Sequence, residues 1–183
     1  MNSTVLIVID IQRGAFDGER CTPIDRPQAL VDHAVSLVSA ARDTDTPVVF
    51  IQHSEGAGEV FEEGSIHWEL HESLTPRPND KVLKKYASSA FEGTELARML
   101  AGLEAKKLVL CGLQSEFCVY NTAKSALALG YEVVIAEDGH STWPSGGASA
   151  CAISDRINLE LQSSGARLAG TANLVRSLRA ART

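Results

Sequence analysis

Aromatic side chains are scarce in this 183-residue chain, at 5% of positions, and no basic tract breaks its net charge of −6. Nucleic acids and anionic membrane surfaces bind to aromatic platforms and cationic patches, so neither is an expected partner. No apolar run approaches the roughly 20 residues that cross a bilayer. The first residues have no basic segment, and Val5–Ile9 is too short for a signal-peptide core, so a cytoplasmic location is expected. The four cysteines, Cys21, Cys111, Cys118 and Cys151, show no C-x-x-C spacing, which leaves a zinc site unsupported. Disulfides are not expected in a reducing compartment. His67 and His71 are four residues apart but lack the glutamate of an H-E-x-x-H pair. No metal or other cofactor is expected.

What the chain does have is an ordinary globular composition, 44% hydrophobic and 22% charged, sufficient for one domain over residues 1–183. Thr4–Ile9 is a continuous apolar run, the pattern of a central parallel strand covered on both faces. Pro47–Ile51, Lys81–Lys85, Leu108–Cys111, Tyr131–Ile135 and Ala166–Ala169 read as five further strands. Between them lie helical patterns over Pro27–Asp43, from Thr94 as N-cap through Leu103, over Phe117–Leu129 and over Gly147–Ser163. A last helix follows Thr171 as its cap. Strands alternating with helices specify a three-layer α/β/α domain around a parallel sheet. Residues 52–80 form a long connection without period. A stretch of that length in a compact domain covers a crevice or builds an oligomer contact.

Residues 107–128 hold the most informative pattern. A buried strand runs into Gly112, Ser115 offers a helix cap, and Cys118 falls in the first turn of the helix that follows. Unpaired N–H groups and the helix dipole there favour a thiolate. On position alone Cys118 fits a nucleophile and a small buried packing residue equally well. Asp10 ends the first strand, where open α/β sheets place their ligand crevices. It is either part of a site or a simple loop cap. Lys84 and Lys85 are adjacent, so strand alternation puts them on opposite faces. Either is solvated by default, and one at a strand end beside Asp10 and Cys118 becomes a catalytic cation.

Three segments taken together, Asp10-Ile-Gln12, Lys85-x3-Ser-Ala-Phe91-x2-Thr94 and Gly112-x2-Ser-Glu-x-Cys118-Val, resemble the isochorismatase-like cysteine hydrolases. The likeness spans essentially the whole chain and takes in Trp68, residues 138–142 and Asn158. It implies a Rossmann-like, six-stranded parallel sheet of order 3-2-1-4-5-6 and a homodimer or homotetramer. It implies a catalytic triad of Asp10, Lys85 and Cys118, with Lys84 solvated or structural. It further implies a cis peptide at Leu113–Gln114 and an oxyanion hole built from the amides of Gln114 and Cys118. Phe16, Trp68, Tyr120, His140 and Trp143 are the candidate residues lining the substrate site.

The implied chemistry is hydrolysis of a small amide, ureide or lactam at its C–N bond through a thioester, with no cofactor. Nicotinamidases of the family carry an Asp-x-His metal motif after the second strand. Ile51-Gln-His-Ser-Glu55 does not supply it, which disfavours that activity. Isochorismatases cleave a vinyl ether without the cysteine, so the presence of Cys118 favours amide or carbamoyl substrates. Isochorismatase-type ether hydrolysis is the second enzymatic reading. A redox-responsive binding domain with Cys118 as its sensor thiol is the non-enzymatic one.

Overall fold

The β-branched and aliphatic runs of the sequence become the strands of one sheet. A computed structural model describes residues 3–180. Among them, β1 (Thr4–Ile9), β2 (Val48–His53), β3 (Lys81–Lys85), β4 (Lys107–Leu113), β5 (Glu132–Ser141) and β6 (Arg167–Ala169) pair in the order β3-β2-β1-β4-β5-β6, all parallel. This is the sheet the resemblance implied. No helix among the described residues is long and apolar enough to cross a membrane.

Period-two alternation divides the core between the two faces. Leu6 and Val8 point into one cluster with Leu30, Leu37 and Leu174, supplied by α1 (Pro27–Asp43) and α5 (Thr171–Ala180). Val5, Ile7 and Ile9 point into the other. There they meet Leu96 of α2 (Leu96–Gly102), Ala123 of α3 (Tyr120–Ala128) and Ile157 of α4 (Ala150–Ser163). β1, at the centre, is covered on both sides, as its unbroken apolar run requires.

Gly112 does not end β4 but pairs with Ile9 inside the ladder. Its φ is +128°, and a Cβ there would lie 2.0 Å from the Ile9 carbonyl oxygen. Only glycine fits. Three other boundaries differ from the sequence expectation. β5 continues to Ser141, because a register shift against β4 lets residues 136–139 loop out before His140 pairs with Gly112. The helix expected from Phe117 opens as one wide π-helical turn, Ser115–Val119, before α3 begins at Tyr120. α4 starts at Ala150, capped by the Ser149 hydroxyl.

The cap residues also differ. The Ser115 hydroxyl caps nothing and turns inward to His140 and Ser154. Thr94 accepts the Leu96 amide at 3.2 Å, so it caps α2 from one residue further out than expected. Thr171 is the first residue of α5, and its hydroxyl donates to Asp138.

The 52–80 connection lies over the carboxyl end of β1. His71 and Arg13 amides bond to Ile11 and Glu69 carbonyls, and Leu74 is buried in the core. The fully buried Gln12 fixes it. Its amide nitrogen donates to the carbonyls of His53 and Trp68, and its oxygen accepts the His53 amide.

Candidate active site

Four strand ends converge at the carboxyl edge of the sheet. Asp10 leaves β1 with φ +53°, a left-handed conformation that aspartate tolerates better than most residues and that stops the strand. Its amide still donates to the Ile51 carbonyl. Lys85 is the last residue of β3 and sits opposite His53 of β2 in the ladder. Cys118 follows β4 on the π-helical turn. The Leu113–Gln114 peptide that joins strand to turn is cis.

The Lys85 side chain is 0% exposed. Its ammonium lies 2.7 Å from Asp10 Oδ2, 3.1 Å from Cys118 Sγ and 3.1 Å from His53 Nδ1. An ammonium has three N–H donors, and all three are occupied. His53 Nδ1 is therefore the acceptor, and its proton belongs on Nε2. Ser88 Oγ, held by Asn121, stands 4.0 Å from the sulfur. The second carboxylate oxygen of Asp10 is buried with no hydrogen-bond partner.

Protonation follows from burial and charge. Burial works against the Lys85 charge, yet the Asp10 carboxylate and the Cys118 sulfur outweigh it and raise its pKa. Burial raises the Asp10 carboxyl against the pull of Lys85. Burial, with the Asp10 charge second, pushes the Cys118 thiol up to about 12, with Lys85 opposing. His53 is lowered, first by burial and then by Lys85. The resting site is thus a lysinium–carboxylate pair, a neutral imidazole and a neutral thiol. A thiolate stabilised by a helix start was expected. Burial of the sulfur, with the Asp10 carboxylate second, reverses that, and the short π-helical turn does not offset it.

Cys118, Asp10 and His53 all line a cavity of about 380 Å³. Its walls include Phe61, Leu113, Phe117 and Tyr86, with Glu55 and Ser88 as further polar groups. The five candidate lining residues lie elsewhere. Phe16 packs edge-on against His71. Trp68 donates its indole N–H to Ser54 and carries Lys84 over its ring. Tyr120 borders a different groove, between α3 and α4. Trp143 bonds the Thr22 carbonyl. His140 is buried behind the π-helical turn that carries Cys118, between Ser115 and Asn158. The wall comes instead from the neighbours of Lys85 and Cys118 in the chain and from the start of the 52–80 connection. His53 was missed, although it ends a central strand just as Asp10 does. Phe61 and Glu55 sit in the aperiodic connection and left no signal in the sequence.

The fold and this cluster can now be compared with known proteins. The isochorismatase domain model matches residues 4–154. A streptothricin hydrolase of Streptomyces noursei is 33% identical over 138 residues, covering 75% of this chain and 49% of that protein. The chain thus spans about half the length of that relative. A ureidoacrylate amidohydrolase of Cronobacter sakazakii is 25% identical over 176 residues, covering 77% of this chain and 76% of that protein. The crystal structure of a putative isochorismatase from Burkholderia xenovorans LB400 superposes with a TM-score of 0.89 at 31% identity, covering 99% of this chain and 89% of that one. The chain belongs to the isochorismatase family.

Proposed function

We propose that this chain is a cysteine-dependent hydrolase that opens the C–N bond of a small amide-type substrate through a thioester. The observation that carries the reading is the meeting of Asp10 and Cys118 at the wall of one cavity, with Lys85 bonded to both from behind it. The names of the hydrolytic relatives support it.

Because the thiol rests neutral, attack and deprotonation are one event. The sulfur adds to the carbonyl carbon while its proton passes to Asp10, whose raised pKa suits a general base. The amides of Gln114 and Cys118 are assigned to the oxyanion, where a single lost donor typically costs about 3–4 kcal/mol. Collapse expels the amine, which takes the proton from Asp10 and leaves the acyl group on sulfur. Water then attacks the thioester and gives its proton to Asp10. As the acid departs, that proton returns to the sulfur. Lys85 stays charged throughout and keeps Asp10 and Cys118 in register.

An assembly of two or four copies belongs to the same proposal. The exposed Leu129 and Leu159 support it. The test of the activity is mass spectrometry of the intact protein mixed with a library of small amides. A covalent acyl adduct on Cys118 and turnover that vanishes in Cys118→Ala are expected. Full hydrolysis by Cys118→Ala refutes the reading.

A further inference from the structure

The cavity holds one carboxylate that no step of the proposed reaction uses. Glu55 Oε2 accepts the Phe61 amide at 2.8 Å, which anchors the group. Its Oε1 stands 3.7 Å from His53 Nε2, too far for a hydrogen bond. Among the described residues lining the cavity there is no lysine or arginine. The cation behind the wall, Lys85, already has three partners. Lys84 is engaged with Glu63 and the Trp68 ring. Asp10 is matched by Lys85, so the unbalanced charge of the cavity is the Glu55 carboxylate. Apolar surface from Phe61, Leu113 and Phe117 frames it, and low-dielectric walls concentrate its field. Beside it the His53 Nε2–H is a fixed donor with no close acceptor.

We propose that Glu55 sets the substrate class. The site takes amides that carry a protonated nitrogen away from the scissile bond, an ammonium or amidinium, and rejects those with a carboxylate in the same place. His53 Nε2–H meets a neutral oxygen or nitrogen of the same substrate. This rests on the hydrolase reading above and goes beyond it in naming the charge of the substrate.

The test is designed to be independent of hydrolysis. Three N-substituted 2-chloroacetamides are used, with tails of equal length ending in ammonium, methyl or carboxylate. In each, the sulfur displaces chloride to form a thioether, and the thiol proton passes to buffer. The rate at Cys118 is read by peptide mass spectrometry and divided by the rate with glutathione. The ammonium compound should react at least tenfold faster than the carboxylate compound. Glu55→Gln, which keeps an acceptor for the Phe61 amide, should shrink that span to under threefold. Raising salt from 50 to 500 mM should narrow it in the unaltered protein, which provides a reading that does not depend on the variant folding. Equal rates within twofold, a faster carboxylate compound, or a span unchanged in Glu55→Gln overturns the assignment. A protein that selects by charge but hydrolyses no amide overturns only the proposed function. One that hydrolyses amides without regard to charge overturns only the role of Glu55.

Discussion

Replacing Lys85 by methionine tests the electrostatic reading of the site most directly. The side chain is 0% exposed, so solvent cannot take over for the lost charge. Asp10 is 2% exposed, and one of its oxygens already lacks a partner. Removing the lysine leaves the whole carboxylate buried and unpaired. Breaking a buried pair in this way costs about 3–5 kcal/mol. With a urea dependence of about 2 kcal/mol per molar, the midpoint should fall by about 2 M at pH 8. The pH dependence has a definite sign. Burial already holds the folded-state pKa of Asp10 above its ordinary value, and without Lys85 it rises further. A group with a raised folded pKa contributes stability that is complete below its unfolded pKa and is lost as pH climbs through the folded one. The variant should therefore be least impaired near pH 4 and most impaired at pH 8. The double variant Asp10→Asn with Lys85→Met has no buried charge and should recover at least half of the loss. Urea denaturation at both pH values decides it. A loss below about 1 kcal/mol at pH 8, or a double variant no more stable than the single one, refutes the account of a buried pair.

Two other expectations follow from the same coordinates. Because the Cys118 thiol is pushed up to about 12, its alkylation by iodoacetamide should keep accelerating through pH 10. A plateau near pH 6–7, the profile of a sensor thiol, would refute the neutral resting state. Gly112→Ala must place a Cβ against the Ile9 carbonyl at a φ that L-residues avoid. It should cost more than about 3 kcal/mol, read as a fall in thermal midpoint or loss of soluble protein.

The sheet was readable because parallel strands covered on both faces are nearly continuous apolar runs, and Thr4–Ile9 or Leu108–Cys111 has few other folds available. Asp10, Lys85 and Cys118, which the resemblance singled out, do meet at the strand ends. Their separation from Lys84 needed the Ser-Ala-Phe91 spacing that the resemblance supplied. The protonation state of Cys118 was not readable. It depends first on how deeply the sulfur is buried and then on the carboxylate beside it, both set by tertiary packing with no local pattern. The cavity wall escaped for a related reason. Phe61 and Glu55 lie in a segment without period, placed only by bonds such as Gln12 to Trp68. The aromatic residues chosen instead are anchors of loops. His140 illustrates this: its Nε2–H meets Asn158, and its Nδ1 accepts from Ser115. It braces the turn that carries Cys118 from behind.

The Gln12 clamp has a mechanical consequence. One primary amide holds both the turn of the connection at Trp68 and the β2 end at His53, and His53 in turn contacts Lys85. The position of the connection at Trp68 is thereby tied to that of His53, the ring that accepts from the Lys85 ammonium. The rim of the cavity is freer, with Phe117 54% and Tyr86 69% exposed. Side chains of that aromatic threshold can vary in size without touching the bonds that Gln12 makes.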